Sequence, residues 1–150
     1  MVNSIRRGQA ADLPAILRLL DSASLPITDL LTAHEFHTWL VEEEGSIVGA
    51  IGLERFGNEA LLRSLVVAPE HRKRGAGHDL VTRLELDARA VGIQQLVLLT
   101  ETAELFFRRL GYSVTDRSHV GHKVRQSAEF RSLCPVSAIC MSKVLSRLGS

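Results

Sequence analysis

Leu62-Arg63-Ser64-Leu65-Val66-Val67-Ala68-Pro69-Glu70-His71-Arg72-Lys73-Arg74-Gly75-Ala76-Gly77-His78-Asp79-Leu80 is the stretch from which the rest of the chain can be read. Leu65 to Ala68 is short, apolar and partly β-branched, as in a strand covered on both faces. Pro69 has no N–H to give a ladder and closes that strand. Gly75 and Gly77 carry no Cβ, so the backbone there can turn sharply and let a ligand approach. A helix opening at this point aims its first N–H groups, and the positive end of its dipole, back over the turn. Such a place receives a phosphate or pyrophosphate, and Arg72, Lys73 and Arg74 add mobile positive charge around it. The glycines alone fit an ordinary turn equally well. A nucleotide P-loop is excluded because no Gly-Lys-Ser/Thr follows. A dinucleotide fingerprint is excluded because Leu80 stands where its third glycine belongs.

The chain of 150 residues is long enough for one domain with its own core. With 18 Lys+Arg against 17 Asp+Glu, nothing global points to nucleic acid or an anionic membrane. The local cluster His71 to Arg74 leaves a nucleic-acid reading open, and steep salt dependence of binding would mark it. Met1 to Gln9 lacks the apolar run of a signal peptide, and no stretch is apolar for long enough to span a bilayer. A cytoplasmic home is therefore expected, in which Cys134 and Cys140 stay reduced.

Outward from the central stretch, Val2 to Arg7 reads as a first strand. Leu13, Ile16, Leu17 and Leu20 form a helical stripe, with Pro14 tolerated in its first turn. Thr28 to His37 reads as a short second helix. Thr38 to Glu43 and Ser46 to Phe56 form a hairpin around Glu44-Gly45, and a turn at Phe56 to Glu59 leads into the strand Ala60 to Ala68. The helix after the glycines is expected to bury Leu80, Val81, Leu84, Ala88 and Val91 and to end at Gly92. Gln95 to Thr100 is a buried strand. Ala103 to Leu110 is a helix with Leu105, Phe106 and Leu110 inward, ended by Gly111. Tyr112 to Thr115 and Ser137 to Val144 are strands, with a helical turn over Lys123 to Leu133 between them. Composition and periodicity thus give a single α/β domain, residues 1–150, with a mixed sheet flanked by helices.

Strand, proline, Arg72-x-x-Gly75-x-Gly77 and helix in this order resemble the pyrophosphate loop of the GNAT (Gcn5-related) N-acetyltransferases. Ala103-x-x-Phe106-Phe107-x-x-x-Gly111-Tyr112 resembles that family's helix ending in a Gly-aromatic pair. The resemblance runs from about Ile5 to Leu145 and implies the GNAT acyl-CoA N-acyltransferase fold with acetyl-CoA as donor. It places the pyrophosphate on Arg72, Lys73, Arg74, Gly75, Ala76 and Gly77, and the pantetheine arm along Leu65, Val66 and Val67. It also brings Thr100 and Phe106 to the coenzyme. Two positions depart from the pattern. Phe107 stands where many members carry a tyrosine that protonates the departing thiolate, and Thr100 stands where an asparagine is common. Tyr112 matches a packing position.

Arg125-x-Ser127-x-Glu129-Phe130-x-x-Leu133-Cys134-Pro135-x-Ser137-Ala138-x-Cys140-Met141, with Ala60 to Val67, is similar to a GNAT branch encoded in arsenic-resistance operons. That likeness implies a cytoplasmic enzyme of arsenical detoxification. Acetyl transfer needs a deprotonated amine and a carboxylate to deprotonate it. Glu54 is the first candidate and Glu129 the second, and both also read as plain surface or salt-bridged carboxylates. Ser64 can offer a hydroxyl or be a simple strand serine. Cys134 and Cys140 can bind a soft centre such as trivalent arsenic, return the proton that Phe107 cannot, or simply pack. Arg63 and Arg125 can anchor a substrate carboxylate or remain solvated. His34/His37 and His119/His122 are spaced as helical pairs but fall short of a zinc site, so no metal is expected. The expected function is acetyl-CoA-dependent N-acetylation of a small amine, amino-acid-like or arsenic-containing, by a chain for which a homodimer is allowed. The competing reading is a GNAT scaffold that senses acyl-CoA or a metalloid through Cys134 and Cys140 without transfer.

Overall fold

The computed structural model describes residues 4–25, 35–127, 130 and 137–145, and of Lys73 and Arg74 the backbone only. The strands are β1 (Ile5–Arg7), β2 (Phe36–Glu43), β3 (Ser46–Phe56), β4 (Glu59–Val67), β5 (Gln95–Thr100), β6 (Ser113–Val114) and β7 (Ile139–Val144). They form one mixed sheet in the order β1-β2-β3-β4-β5-β7-β6. β1 to β4 run antiparallel in sequence, and β4 and β5 are the parallel pair. At the β2–β3 turn, Glu44 and Gly45 both take positive φ (51° and 78°), the two-residue geometry whose twist suits a hairpin.

Helices cover both faces. On one, α2 (Ala76–Ala90) and α3 (Glu104–Arg109) bury Leu80, Leu84 and Phe107 against Trp39, Ile51, Leu62 and Met141. On the other, α1 (Leu13–Ser22) sets Ile16 and Leu20 on Leu40, Ala50 and Val66. Beside it α4 (His122–Arg125) sets Val124 in a cluster with Leu61, Val97, Phe130 and Cys140. A helix stripe of period 3.6 meeting strands of period 2 accounts for both layers.

One feature of the sheet positions the site. β3 pairs with β4 along nearly its whole length, whereas β5 pairs with β4 only at Glu59–Leu61 against Gln95–Val97. β7 covers the other edge of β5 along its whole length, Gln95 to Thr100. The sheet therefore opens between β4 and β5 beyond Leu61. Within β4 the register steps from Gly52↔Arg63 to Ala50↔Val66, so Ser64 and Leu65 together face Ile51. This is a β-bulge, and Ser64 takes φ +61° to make it.

Several sequence expectations need correcting. The helix expected over Thr28 to His37 lies partly outside the described residues, but Phe36 and His37 belong to β2. Phe36 lays its ring over Gly52, where an added Cβ would come within 2.6 Å of it, and that packing holds the segment extended. Leu105, expected inward, is 69 % exposed, and Phe107 is the buried residue of α3. Val91, expected on the buried side of α2, is 54 % exposed, while Glu85 is buried in its stead. Gly92 and Gly111 end their helices as expected, at φ +88° and +95°.

Candidate active site

After β4 the chain makes a 3-10 turn, Pro69–Arg74, and Gly75 then takes φ +76° as the N-cap of α2. A Cβ at Gly75 would meet nothing within 4 Å, so the glycine is needed for its left-handed backbone rather than for space. No side chain among the described residues caps the helix. Its first internal bond runs from the Asp79 N–H to the Gly75 carbonyl (3.0 Å), which leaves the N–H groups of Ala76, Gly77 and His78 pointing out of the helix start. Gly77 also makes room for a neighbour: a Cβ there would sit 3.3 Å from Phe106 Cζ. Phe106 thereby packs α3 against the helix start, beside the loop where the sequence placed it.

The edge of β4 leads into this helix start. The Ala68 N–H donates to the Val48 carbonyl across β3 (2.8 Å). By strand alternation the amide and carbonyl of Val67, and those of Leu65, face the opening on the other side. Arg72 marks the same direction, its Nε donating to the Val67 carbonyl (3.0 Å). Val66 is turned toward β3 and pairs with Ala50. His71 Nδ1 lies 2.7 Å from Glu43 Oε2, which moors the loop to the end of β2. A row of strand amides leading to an uncapped helix start suits an amide-bearing arm that ends in a diphosphate. The residues present fit coenzyme A.

Glu54 and Arg63 lie on the α1 and α4 face, Arg63 two residues beyond the last β4 residue that pairs with β5. Neither is a surface group: they are 4 % and 3 % exposed, and Arg63 Nη1 is 3.4 Å from Glu54 Oε1. Two charges so deeply buried persist because they are paired. Ser64, the next residue after Arg63, is half-buried at the bulge. Arg125 is exposed on α4. Glu129 and Cys134 lie outside the described residues, as does His34. His37 is in a strand, and His119 and His122 fall in separate short helices, so neither pair shares a helix as its spacing suggested. Among the described residues no group of three or more His, Cys, Asp or Glu could hold a metal ion.

The remaining candidates have structural partners. Cys140 packs among Leu61, Val97, Val124 and Phe130, and burial pushes its thiol up to about 11. At neutral pH it is a protonated thiol, neither nucleophile nor thiolate ligand. Thr100 Oγ1 accepts from the Ala103 N–H (3.0 Å) and so fixes the start of α3. Phe107 is buried edge-on between Phe106 and Tyr112. The Tyr112 hydroxyl donates to Glu85 Oε2 (2.8 Å), and Lys143 Nζ donates to both oxygens of Glu85 (2.9 and 3.1 Å). Burial, and then the adjacent Glu85 charge, hold the Tyr112 hydroxyl far above its ordinary pKa. This network ties α2 to β7 and keeps Tyr112 out of the chemistry. It was not foreseen, because nothing in the spacing of Glu85, Tyr112 and Lys143 joins them.

Residues 34–114 match the family model described as an acetyltransferase (GNAT) domain. An amino-acid acetyltransferase of Mycobacterium tuberculosis is 30 % identical over 129 residues, covering 80 % of this chain and 74 % of that protein. An amino-acid acetyltransferase of Pseudomonas fluorescens is 36 % identical over 75 residues, 49 % of this chain, which spans only 17 % of that relative's length. Among solved structures, a Mycobacterium tuberculosis protein in complex with coenzyme A superposes at TM-score 0.79 with 28 % identity, covering 95 % of this chain and 99 % of that one. The N-acetylglutamate synthase of Neisseria gonorrhoeae, solved with coenzyme A and N-acetyl-glutamate, superposes at TM-score 0.81. It is 22 % identical, covers 98 % of this chain and 36 % of its own, and speaks for the fold alone. Among the described residues no helix is long and apolar enough to cross a membrane.

Proposed function

Because the chain belongs to the GNAT acetyltransferase family, we propose that it moves the acetyl group of acetyl-CoA to the amino group of a small amino acid. One observation carries this reading: the β4–β5 opening joins outward-facing strand amides to the uncapped start of α2, with Glu54 and Arg63 on the adjoining face. Acetyl-CoA supplies an activated acyl thioester. Val67 and Leu65 hold its arm by backbone pairing, and Ala76, Gly77 and His78 hold its diphosphate by their amides. Arg72, Lys73 and Arg74 supply the surrounding charge. Phe106 and Thr100 shape the wall by setting α3.

For transfer, the acceptor ammonium must lose a proton. Glu54 is the proposed base, acting directly or through water. An outward-facing β4 amide at the acetyl end of the arm is proposed to polarise the thioester carbonyl. Arg63, Arg125 and Glu129 are proposed to recognise the acceptor's own charged groups, because guanidinium matches carboxylate. Ser64 is proposed as a positioning hydroxyl. Phe107 has no proton to give and Tyr112 is bound to Glu85, so the departing thiolate takes its proton from solvent in the opening.

The amino-acid acetyltransferases among the relatives support an amino acid as acceptor. The C-terminal likeness to arsenic-resistance enzymes supports a narrower one, an arsenic-containing amino compound handled in the cytoplasm. A homodimer of such single domains is compatible with this reading. The test follows thiol release from acetyl-CoA against acidic, basic and neutral amino acids and organoarsenicals. Release with one acceptor class is expected. Coenzyme binding without release for every acceptor would make the chain a sensor instead.

A further inference from the structure

A second concavity, of about 170 Å³, lies on the α2 face of the sheet between β1, β2, β3 and the last turn of α2. It is remote from the helix start: the 15 residues of α2 rise about 22 Å along the axis at 1.5 Å each. Aliphatic side chains of β3 and α2 line it, and the buried Trp39 indole lies beneath Arg7 at one side. Two guanidiniums flank it. Arg7 stacks its Cζ 4.9 Å from the centre of the Trp39 ring, and its Nη2 is 3.0 Å from His37 Nδ1. Arg55 donates to the carbonyls of Gly57 (2.9 Å) and Val91 (3.0 Å). Both cations are thus held by rings and carbonyls.

The wall also contains one carboxylate, Asp87, but it is already engaged. It accepts from Trp39 Nε1 (2.7 Å) and from Arg83 Nε (3.2 Å), which balances its charge. His37 takes the Arg7 hydrogen bond at Nδ1, so its remaining N–H is a donor at Nε2. Burial, then the Arg7 charge, disfavours its ionisation, and Glu35 opposes this. What faces the space is therefore an excess of positive charge and hydrogen-bond donors beside an aliphatic wall.

We propose that this concavity is a binding site for a small amphipathic organic anion, a carboxylate on a flat apolar body. The volume equals about six waters at ~30 Å³ each, or one ring bearing a carboxylate. The carboxylate lies between Arg7 and Arg55, and the ring lies against the exposed Val91 side chain at the rim, with Arg7 between it and Trp39. The site is independent of acetyl transfer.

Trp39 is the single tryptophan of the chain, so its emission reports on this site alone. Benzoate is the probe, and benzamide, of the same shape but neutral, is its control. A saturable change with benzoate is expected, with half-saturation at least about tenfold below that of benzamide. Val91→Glu puts a carboxylate at the exposed rim without touching core or guanidiniums, and should weaken benzoate about tenfold. Arg55→Met should do the same, and coenzyme A should not displace the probe. Equal binding of benzamide, a titration unmoved by Val91→Glu, a non-saturating response, or displacement by coenzyme A would each overturn the proposal. None of these results depends on whether the chain transfers acetyl groups.

Discussion

β4 has two halves built from similar residues and set among different neighbours. Glu59 to Leu61 has β3 on one edge and β5 on the other, while Leu65 to Val67 keeps β3 alone. Apolar side chains fill both halves, and the bulge at Ser64 separates them. The first half is sealed under α4 and Phe130, and its backbone is spent on the sheet. The second half offers its backbone to the opening, where a bound arm can complete the ladder. Function here follows from which strand lies beside a backbone, because a peptide edge becomes a binding surface only when its neighbour departs.

The strongest way to break the comparison is at the face beside the open half. Glu54→Gln should lower turnover by about a hundredfold or more while coenzyme affinity holds, as read by steady-state kinetics beside calorimetry. Retained turnover would remove Glu54 from the chemistry. On the sealed half, native Cys140 should carboxymethylate about a hundredfold more slowly at pH 8 than after unfolding, followed by peptide mass, since its thiol sits at about 11. Equal rates would mean that Leu61 and its cluster do not seal it.

At the far end of the open half, Gly75→Val forces a β-branched residue into φ +76° where an added Cβ meets nothing within 4 Å. The cost of roughly 1–2 kcal/mol should appear as about a tenfold loss of coenzyme affinity. Gly77→Val is less clean, because it also strikes Phe106. At the bulge, Ser64→Val should lower unfolding stability by about 1–2 kcal/mol in a urea titration, the valine being strained at φ +61°. An unchanged midpoint would argue that no bulge divides the strand.

The smallest effect lies at the start of the sealed half. Glu59 is held above its ordinary pKa by burial, although the Gly121 N–H donates to it (3.1 Å). A carboxyl raised on folding costs stability once pH passes its unfolded pKa, near 4, and the cost is complete above its folded value. Glu59→Gln keeps the acceptor oxygen and removes the charge. Thermal scans should show little difference at pH 4 and a slight gain for the variant at pH 7.

Local chemistry made much of this architecture legible. Gly75, Gly92 and Gly111 sit where left-handed backbone is required, and Glu44-Gly45 made its hairpin. The loop of Arg72 to Gly77 could be found because its strand, turn and helix are contiguous. The misreadings share a cause in distant contacts. Phe36 and His37 are drawn into β2 by pairing with Glu54 and Leu53 and by the packing of Phe36 over Gly52, which no local pattern reveals. In α3, with six residues, too few turns fix the phase, so Leu105 and Phe107 exchanged sides. Arg63, which reads as a surface residue, is buried because Glu54 pairs with it across nine positions. The split beyond Leu61 depends on where β5 parts from β4, a pairing between residues far apart in sequence.

Amide hydrogen exchange with and without coenzyme A tests the central claim most directly. Exchange should slow at Leu65 and Val67 on the open half of β4 and at Ala76, Gly77 and His78 on α2, and remain unchanged at Val91 and around Trp39. Slowing confined to other segments, or none at saturating coenzyme, would contradict the placement of the acetyl donor in the β4–β5 opening.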